Sequence, residues 1–218
     1  MGKKEDKQFP LTNKKNCAVY LNRIISSCER CMDRLKKYNV EGNKLLVEYM
    51  GKDVVPHEVY VELLDKYQCK AHAYCMMTNH IHLLLETSEG EIGRFMKCLS
   101  ERYAMYFNHK YQYRGHLFES RYKSCLVKED SYFLQTSRYI HLNPVKARIV
   151  VKPEDYRWSS YQTMIALKDD RITERNRTLA YFKDNSILRY QDFVEDIGHK
   201  YVVQEHEIKK SMEELPFD

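Results

Sequence analysis

The feature that most constrains the fold is residues 80–86, His-Ile-His-Leu-Leu-Leu-Glu, in which two histidines flank one isoleucine and aliphatic residues follow. Successive side chains of a β-strand point to opposite faces. A strand here puts His80 and His82 on one face and buries the other face. Two neighbouring imidazoles can share one divalent cation. The run therefore predicts a strand with a metal site, although two strand histidines bonded to their neighbours fit the same short pattern.

The composition indicates a folded chain, and its charge permits a polyanionic partner. The 218 residues, 43% hydrophobic and 31% charged, suffice for one large domain with an extension. No run approaches the roughly 18 apolar residues of a membrane span, and no secretory signal precedes the seven cysteines, which predicts reduced thiols and a cytoplasmic protein. The net charge of +5 permits nucleic acid without demanding it. Tyrosines interleaved with Lys and Arg suit single-stranded nucleic acid, although packing in the core or at its rim is expected for the majority of the 18 tyrosines.

Periodicity divides the chain into three parts. Residues 1–43 are predicted to be an N-terminal helical segment, with an amphipathic helix over 17–38. Residues 44–164 are predicted to form the main domain, with a short first strand at 45–49 and a long helix that ends near residue 110. Residues 165–218 are charged, with helical spacing, and are predicted to be a C-terminal helical extension.

A second segment supplies partners for the histidines. The helix predicted from residue 131 carries Tyr139 and Asn143 four residues apart, one turn apart on one face, and Pro144 predicts its end at Asn143. If that face looks onto His80 and His82, the Asn143 amide oxygen can be a third ligand and Tyr139 lies beside the metal. An open metal site beside a nucleophile suits attack on a phosphodiester. The phenol, with a pKa of about 10, needs help to react.

Four motifs in this order resemble the REP-associated tyrosine transposases, an IS200-like family within the HUH single-strand endonucleases. They are MTNHIH at 77–82, RGHLFESRYK at 114–123, RYIHLNPVKAR at 138–148 and YRWSSY at 156–161. The resemblance implies an α+β, ferredoxin-like sandwich, with an antiparallel β-sheet and helices packed on one face. It also implies a DNA nickase and strand transferase that forms a 5′-phosphotyrosine.

The resemblance assigns roles by position. His80 and His82 match the family's metal pair, Asn143 its metal-side polar residue and Tyr139 its nucleophile. Mg²⁺ or Mn²⁺ is the implied cofactor, although imidazoles alone favour later transition metals. The implied partner is single-stranded or hairpin DNA. Candidate contacts to its phosphates and bases are Arg114, His116, Arg121, Tyr122, Lys123, Lys146 and Arg148.

Three questions stay open at this level. The family's usual first strand is not found in residues 17–43, which favours an inactive hairpin DNA- or RNA-binding protein as the alternative to an active transposase. A metal hydrolase that uses water as the nucleophile would survive the loss of the Tyr139 hydroxyl. The sequence also does not decide between a monomer and a homodimer.

Overall fold

The computed structural model describes residues 16–23 (backbone only), 57–77, 80–87, 92–110, 112, 114–118 and 121–196. The strands are β1 Asn16–Arg23, β2 Cys69–Met76, β3 His80–Thr87 and β4 Lys123–Val127. The main helices are α1 His57–Lys66, α2 Ile92–Lys110 and α3 Asp130–Lys146. A 3₁₀ turn at Pro153–Asp155 and three shorter helices follow: α4 Tyr161–Met164, α5 Arg175–Leu179 and α6 Ser186–Glu195.

The four strands form one antiparallel sheet in the order β2-β3-β1-β4. Through β4, the described elements run strand, helix, strand, strand, helix, strand. This order of elements and strands is that of a ferredoxin-like α+β fold, which confirms the predicted class. Each connection from one strand to a non-neighbouring one contains a helix, as such crossings require.

The N-terminal prediction is wrong where the structure describes it. Residues 16–23 form β1, a central strand between β3 and β4, and not the start of a helix over 17–38. The division at residue 43 also fails, because β1 belongs to the same sheet as the strands that follow it. The alternative first strand predicted at 45–49 lies outside the described residues. A first strand is therefore present, earlier in the chain than the sequence indicated.

Helices cover both faces of the sheet. On one face, Ile81, Leu83 and Leu85 pack with α1 and α2 in the largest hydrophobic cluster. On the other face, Leu84 packs with Phe133 of α3 and its neighbours. The structure thus has helices on both faces of the sheet, whereas the prediction placed them on one face only. The uninterrupted leucines of β3 explain this layer, because a strand buried on both faces is apolar at consecutive positions.

Helix α3 runs one turn past its predicted end. It continues to Lys146 with Pro144 inside it. Proline removes the backbone donor that would bond the Ile140 carbonyl. The Asn143 side-chain amide lies 3.5 Å from that oxygen and donates a 2.8 Å hydrogen bond to the Tyr139 carbonyl. A side-chain donor thus compensates in part for the missing backbone donor, and the last turn remains helical.

A further segment lies along the outer edge of β2. The Met76 amide donates to the Trp158 carbonyl at 3.0 Å, the Ser160 amide donates to the Tyr74 carbonyl at 3.0 Å, and Cys75 and Ser159 form an isolated bridge. The Tyr156 hydroxyl donates to the Met76 carbonyl at 2.5 Å. This contact satisfies backbone groups that an edge strand would otherwise expose. In the part of the chain that the structure describes, no helix is long and apolar enough to cross a membrane.

Candidate functional site

The two histidines of β3 converge as the alternation predicted. The Nε2 atoms of His80 and His82 are 3.0 Å apart, and the ring centroids are 4.7 Å apart. His82 is 3% exposed and His80 is half-buried at the mouth of the site. The pair therefore has one ring fixed in the interior and one ring reachable from solvent.

The electrostatics keep the inner ring neutral. Burial, with His80 beside it, holds the pKa of His82 well below its ordinary value. The narrow gap between the two Nε2 atoms has room for one proton, so a neutral pair presents at least one lone pair there. Neutral imidazole nitrogen is the form that binds metals. The charge state of His82 is therefore the one that a metal ligand needs.

The spacing of the pair fits a shared cation. Two ligands at right angles on one ion, each at about 2.1 Å, lie about 3 Å apart. The observed Nε2 separation of 3.0 Å matches that value. Among the described residues, no group of three or more His, Cys, Asp or Glu side chains could hold a metal. His80 and His82 would therefore bind an ion weakly by themselves. Most of its coordination positions would be left to oxygen atoms from other groups.

Tyr139 of α3 lies directly over the inner histidine. Its ring centroid is 5.8 Å from that of His82, with the planes at 89°. The Lys146 ammonium lies 4.9 Å from the Tyr139 ring centroid. A cation at this distance is attracted to the face of the aromatic ring. The structure thus places the Tyr139 ring next to both the buried histidine and an ammonium group.

Asn143 has a structural task that the sequence did not reveal. Its amide nitrogen donates to the Tyr139 carbonyl and lies near the Ile140 carbonyl, both within its own helix. These contacts direct the nitrogen toward the helix and leave the amide oxygen as the atom available to a ligand. Asn143 is thus held one turn from Tyr139, and its role as a metal ligand stays a prediction.

Buried polar contacts fix the helix that carries Tyr139. The Arg138 side chain, 4% exposed, donates to the carbonyls of Phe193 at 2.8 Å and Asp196 at 2.6 Å at the end of α6. Free carbonyls at a helix C-terminus carry partial negative charge, so they compensate a buried guanidinium. The residue before the candidate nucleophile is therefore attached to the C-terminal part of the chain.

A second set of contacts reinforces this attachment. His141, fully buried, accepts or donates at 2.8 Å to the Tyr190 hydroxyl and at 2.8 Å to the Ser160 hydroxyl. Ser137 shares a 2.6 Å hydrogen bond with Tyr190. Sequence reasoning missed these positioning residues. Their signal was the presence of polar residues at 137, 138 and 141 on a helix face that has to be buried, but their partners lie about 20 to 60 positions away.

The predicted DNA contacts gather at the histidine end of the sheet. The strand register sets both His82 and Lys123 opposite Leu21 of β1, so Lys123 lies on the histidine face, two strands from β3. Paired strands are about 4.8 Å apart, which puts the two backbones roughly 10 Å from each other. Arg121, two residues before Lys123, is exposed. Lys123 thus lies on the same sheet face as the two histidines, and its contact with DNA stays a prediction.

The loop after α2 reaches the same end, because it precedes the first residue of β4. Arg114 and His116 are exposed, whereas Leu117 is 2% exposed and inserts into the core. The Asn108 side chain donates to the Gly115 carbonyl at 3.4 Å. The loop is therefore anchored by one apolar residue while it presents its basic and imidazole groups to solvent.

Tyr122 does not have the surroundings expected of a base-stacking ring. It is half-buried against the α1 and α2 face, and its hydroxyl is 3.5 Å from the position that a Cβ on Gly93 would occupy. Tyr122 precedes Lys123 in an extended segment, so the two side chains point to opposite faces. Its packing serves the core, and its contact with bases stays a prediction.

Arg148 has a strained backbone. It follows α3 with φ at 57°, and the next amide, that of Ile149, donates to the Pro144 carbonyl at 2.9 Å. This is the left-handed helix ending that normally contains glycine. Arg148 therefore carries a side chain in a backbone conformation that favours glycine.

Replacing Arg148 with glycine is expected to stabilise the fold and weaken DNA binding. Relief of the left-handed strain should raise the free energy of unfolding by about 0.5–1 kcal/mol. Loss of a phosphate contact should lower the slope of log affinity against log salt by about one. Urea unfolding and salt-dependent anisotropy measure these two effects. Arg148→Ala is the matched variant: it should lose the same contact without gaining stability.

A second polar cluster lies at the far end of the same sheet face. The Glu86 carboxylate accepts from the fully buried His72 at 3.0 Å and from Arg177 of α5. Arg177 also lies over the Phe133 ring, 4.7 Å from its centroid. Burial works to raise the pKa of Glu86, but the contacts with His72 and Arg177 outweigh it and hold that pKa well below its usual range. The cluster joins the C-terminal part of the chain to β3.

The chain is similar to known transposases in three comparisons. Residues 43–143 match the family model "Transposase IS200 like", and this range includes both histidines, Tyr139 and Asn143. A curated Haemophilus influenzae protein named as a REP-associated tyrosine transposase is 24% identical over 140 residues, which are 59% of this chain and 74% of that protein. A solved REP-associated tyrosine transposase bound to a REP hairpin aligns with a TM-score of 0.49 and 14% identity, over 75% of this chain and 88% of that one. Residues 43–143 are therefore similar to the IS200-like transposase domain.

Proposed function

We propose that the chain is a metal-dependent tyrosine transposase that nicks and rejoins single-stranded, hairpin-bearing DNA. One observation carries the proposal: the ring of Tyr139 packs against His82, whose Nε2 atom lies 3.0 Å from that of His80. A nucleophile, a pair of metal-binding nitrogens and surrounding cations are the parts that cleavage of a phosphodiester needs.

In the proposed reaction, the Tyr139 oxygen attacks the scissile phosphorus. The phenol loses its proton, the bond to the 3′-oxygen breaks, and that oxygen takes up a proton as a 3′-hydroxyl. The product is a 5′-phosphate ester on Tyr139, which conserves the energy of the phosphodiester. A second 3′-hydroxyl can therefore reverse the step onto new DNA without ATP.

The chain's own residues orient and charge-balance this step. Lys146, 4.9 Å from the Tyr139 ring centroid, stabilises the phenolate and the phosphate beside it. Arg138 and His141 hold α3 to the C-terminal helices, so the Tyr139 ring stays over His82 in the free protein. Such preorganisation lowers the cost of reaching the reactive geometry.

His80 and His82 are the proposed holders of Mg²⁺ or Mn²⁺, with the Asn143 oxygen as a third ligand. The bound ion would polarise a phosphoryl oxygen and stabilise the leaving group. An ion with only two or three protein ligands completes its coordination with water and DNA, which suits these hard cations. Weak binding before DNA arrives follows from the same ligand count.

An active transposase is better supported than an inactive binding protein. The absence of a first strand motivated that alternative, and β1 now occupies the centre of the sheet. The described residues also bring Tyr139 and both histidines of one chain together. Cleavage within a monomer follows as part of the proposal.

A denaturing gel tests the proposed function. Labelled single-stranded DNA with a hairpin, taken from repeats near the gene, is incubated with the protein and Mn²⁺ or Mg²⁺. The expected result is a protein–DNA band that survives denaturation and disappears with EDTA. Tight binding on a native gel without this band would support the inactive binding protein instead.

Replacing His80 with alanine is expected to abolish the metal response. His80 is half-buried at the mouth of the site, so its loss spares the core, unlike the loss of the buried His82. With one imidazole gone, the affinity for Mn²⁺ should fall at least about tenfold. Calorimetric titration of Mn²⁺ without DNA measures this directly. His116→Ala is the control, since that exposed loop residue should leave Mn²⁺ affinity unchanged.

A further inference from the structure

The outer edge of β2 carries an arginine stacked on the only tryptophan of the chain. The Arg157 guanidinium lies 4.0 Å from the Trp158 ring centroid. Arg157 is exposed and Trp158 is half-buried. Among the residues that the structure describes, no carboxylate lies within ion-pair distance of Arg157. A guanidinium this close to an aromatic ring on one side keeps its outer side and its N–H groups available to a ligand.

Trp158 is fixed in place by the sheet. Its ring borders both hydrophobic clusters, so it lies at the edge between the two faces. Its carbonyl accepts from the Met76 amide at 3.0 Å, and Met76 pairs with Ile81, the residue between the two histidines. Two strand spacings separate Trp158 from β3, which is about 10 Å. The stacked pair is thus level with the candidate site.

The stack and Lys123 lie on opposite sides of the histidines. Lys123 belongs to β4, two strands from β3 in one direction, and Trp158 lies two strands from it in the other. A single strand of DNA covers a distance of about 10 Å within a few nucleotides. A single strand with its phosphate at the histidines would therefore reach the stack.

We infer that Arg157 and Trp158 form a binding site for a nucleotide of the single-stranded DNA flank, within a few positions of the phosphate that Tyr139 attacks. This inference rests on the proposed function. A base stacks on the outer face of the guanidinium, and the N–H groups of Arg157 donate to the neighbouring phosphate. The site lies in the YRWSSY motif at 156–161, beyond residues 43–143 that match the family model.

The single tryptophan makes the inference directly measurable. The protein is used as the full-length Tyr139→Phe variant, so that binding is read without covalent attachment. The probes are a DNA hairpin with a single-stranded oligothymidylate flank and the same hairpin with blunt ends. Trp158 fluorescence reports contact with the flank, and anisotropy of labelled DNA reports affinity.

The flanked hairpin should quench Trp158 fluorescence, and the blunt one should not. Adding Arg157→Ala should weaken binding of the flanked hairpin at least fivefold, as expected for the loss of one stacking contact, and should leave the blunt hairpin unaffected. Arg157→Lys keeps the positive charge but loses the planar guanidinium. Its affinity for the flanked hairpin should lie between those of the Arg157 and Arg157→Ala proteins. Arg102→Ala is the control, because it removes one positive charge from the ion pair with Glu62 between α1 and α2.

The outcomes separate this inference from the proposed function. Unchanged fluorescence with tightly bound flanked hairpin, or equal affinity for the Arg157→Ala protein, overturns the nucleotide site and leaves the Tyr139 reaction to its own assay. A third outcome is that quenching depends on Arg157, but the protein with Tyr139 intact makes no covalent product. This outcome supports the nucleotide site and contradicts the proposed reaction. Absence of binding to both hairpins contradicts both.

Discussion

Replacing Tyr139 with phenylalanine is expected to remove all covalent protein–DNA product while the fold and DNA binding persist. The hydroxyl is the proposed attacking group, and no other described tyrosine has its ring against His82. Loss of the nucleophile should lower the yield of the covalent product by at least about 10³-fold. The remaining phenyl ring keeps the packing of the half-buried side chain.

Tyr132→Phe is the matched control for this change. Tyr132 lies seven residues earlier on the same helix, hence on the same side, and it is half-buried like Tyr139. It should form the covalent product at the rate of the unmodified protein. Cleavage of the DNA by Tyr139→Phe at the rate of the unmodified protein, without a covalent product, would instead indicate a metal-bound water as the nucleophile, and therefore a hydrolase.

Replacing Glu86 with alanine is expected to produce the largest loss of stability among polar substitutions. The carboxylate is 4% exposed and compensates both His72 and Arg177. Breaking a buried charge pair from one side costs about 3–5 kcal/mol. The Arg177 side chain is 23% exposed and can turn to water, which favours the lower end, about 3 kcal/mol. Urea unfolding at neutral pH measures the difference.

The same cluster predicts a pH dependence. The pKa of Glu86 is lowered on folding, so its stabilising contribution is present above the unfolded value of about 4.3 and is lost as the pH falls through the lower folded value. Glu86→Gln should remove this part of the acid destabilisation. Glu101→Ala, which breaks an exposed pair with Lys97, should cost under about 0.5 kcal/mol. Equal losses of unfolding free energy for Glu86→Ala and Glu101→Ala would contradict the role of Glu86.

Local patterns predicted the parts of the site that depend on neighbours in sequence. Strand alternation placed His80 and His82 together, and helical spacing placed Tyr139 and Asn143 on adjacent turns. That Tyr139 meets His82 required long-range packing, and the resemblance to a family supplied that link before the structure did.

The errors arose where short patterns are ambiguous. Residues 17–22, Cys-Ala-Val-Tyr-Leu-Asn, fit the start of an apolar helix and a buried strand equally well, because periodicity does not distinguish the two over so few residues. Pairing with β3 and β4 decided in favour of the strand. Pro144 marked a helix end by a local rule, which the side-chain amide of Asn143 overrides. The anchors of Arg138 depend on carbonyls more than fifty residues later.

The most direct test of the central claim is to identify the residue that carries the DNA. The covalent product formed with a hairpin substrate and Mn²⁺ is digested with protease and nuclease and analysed by tandem mass spectrometry. The account predicts a nucleotide 5′-phosphate on Tyr139 and a free 3′-hydroxyl on the released strand. A nucleotide on any other residue, or cleaved DNA with no nucleotide on the protein, would contradict it.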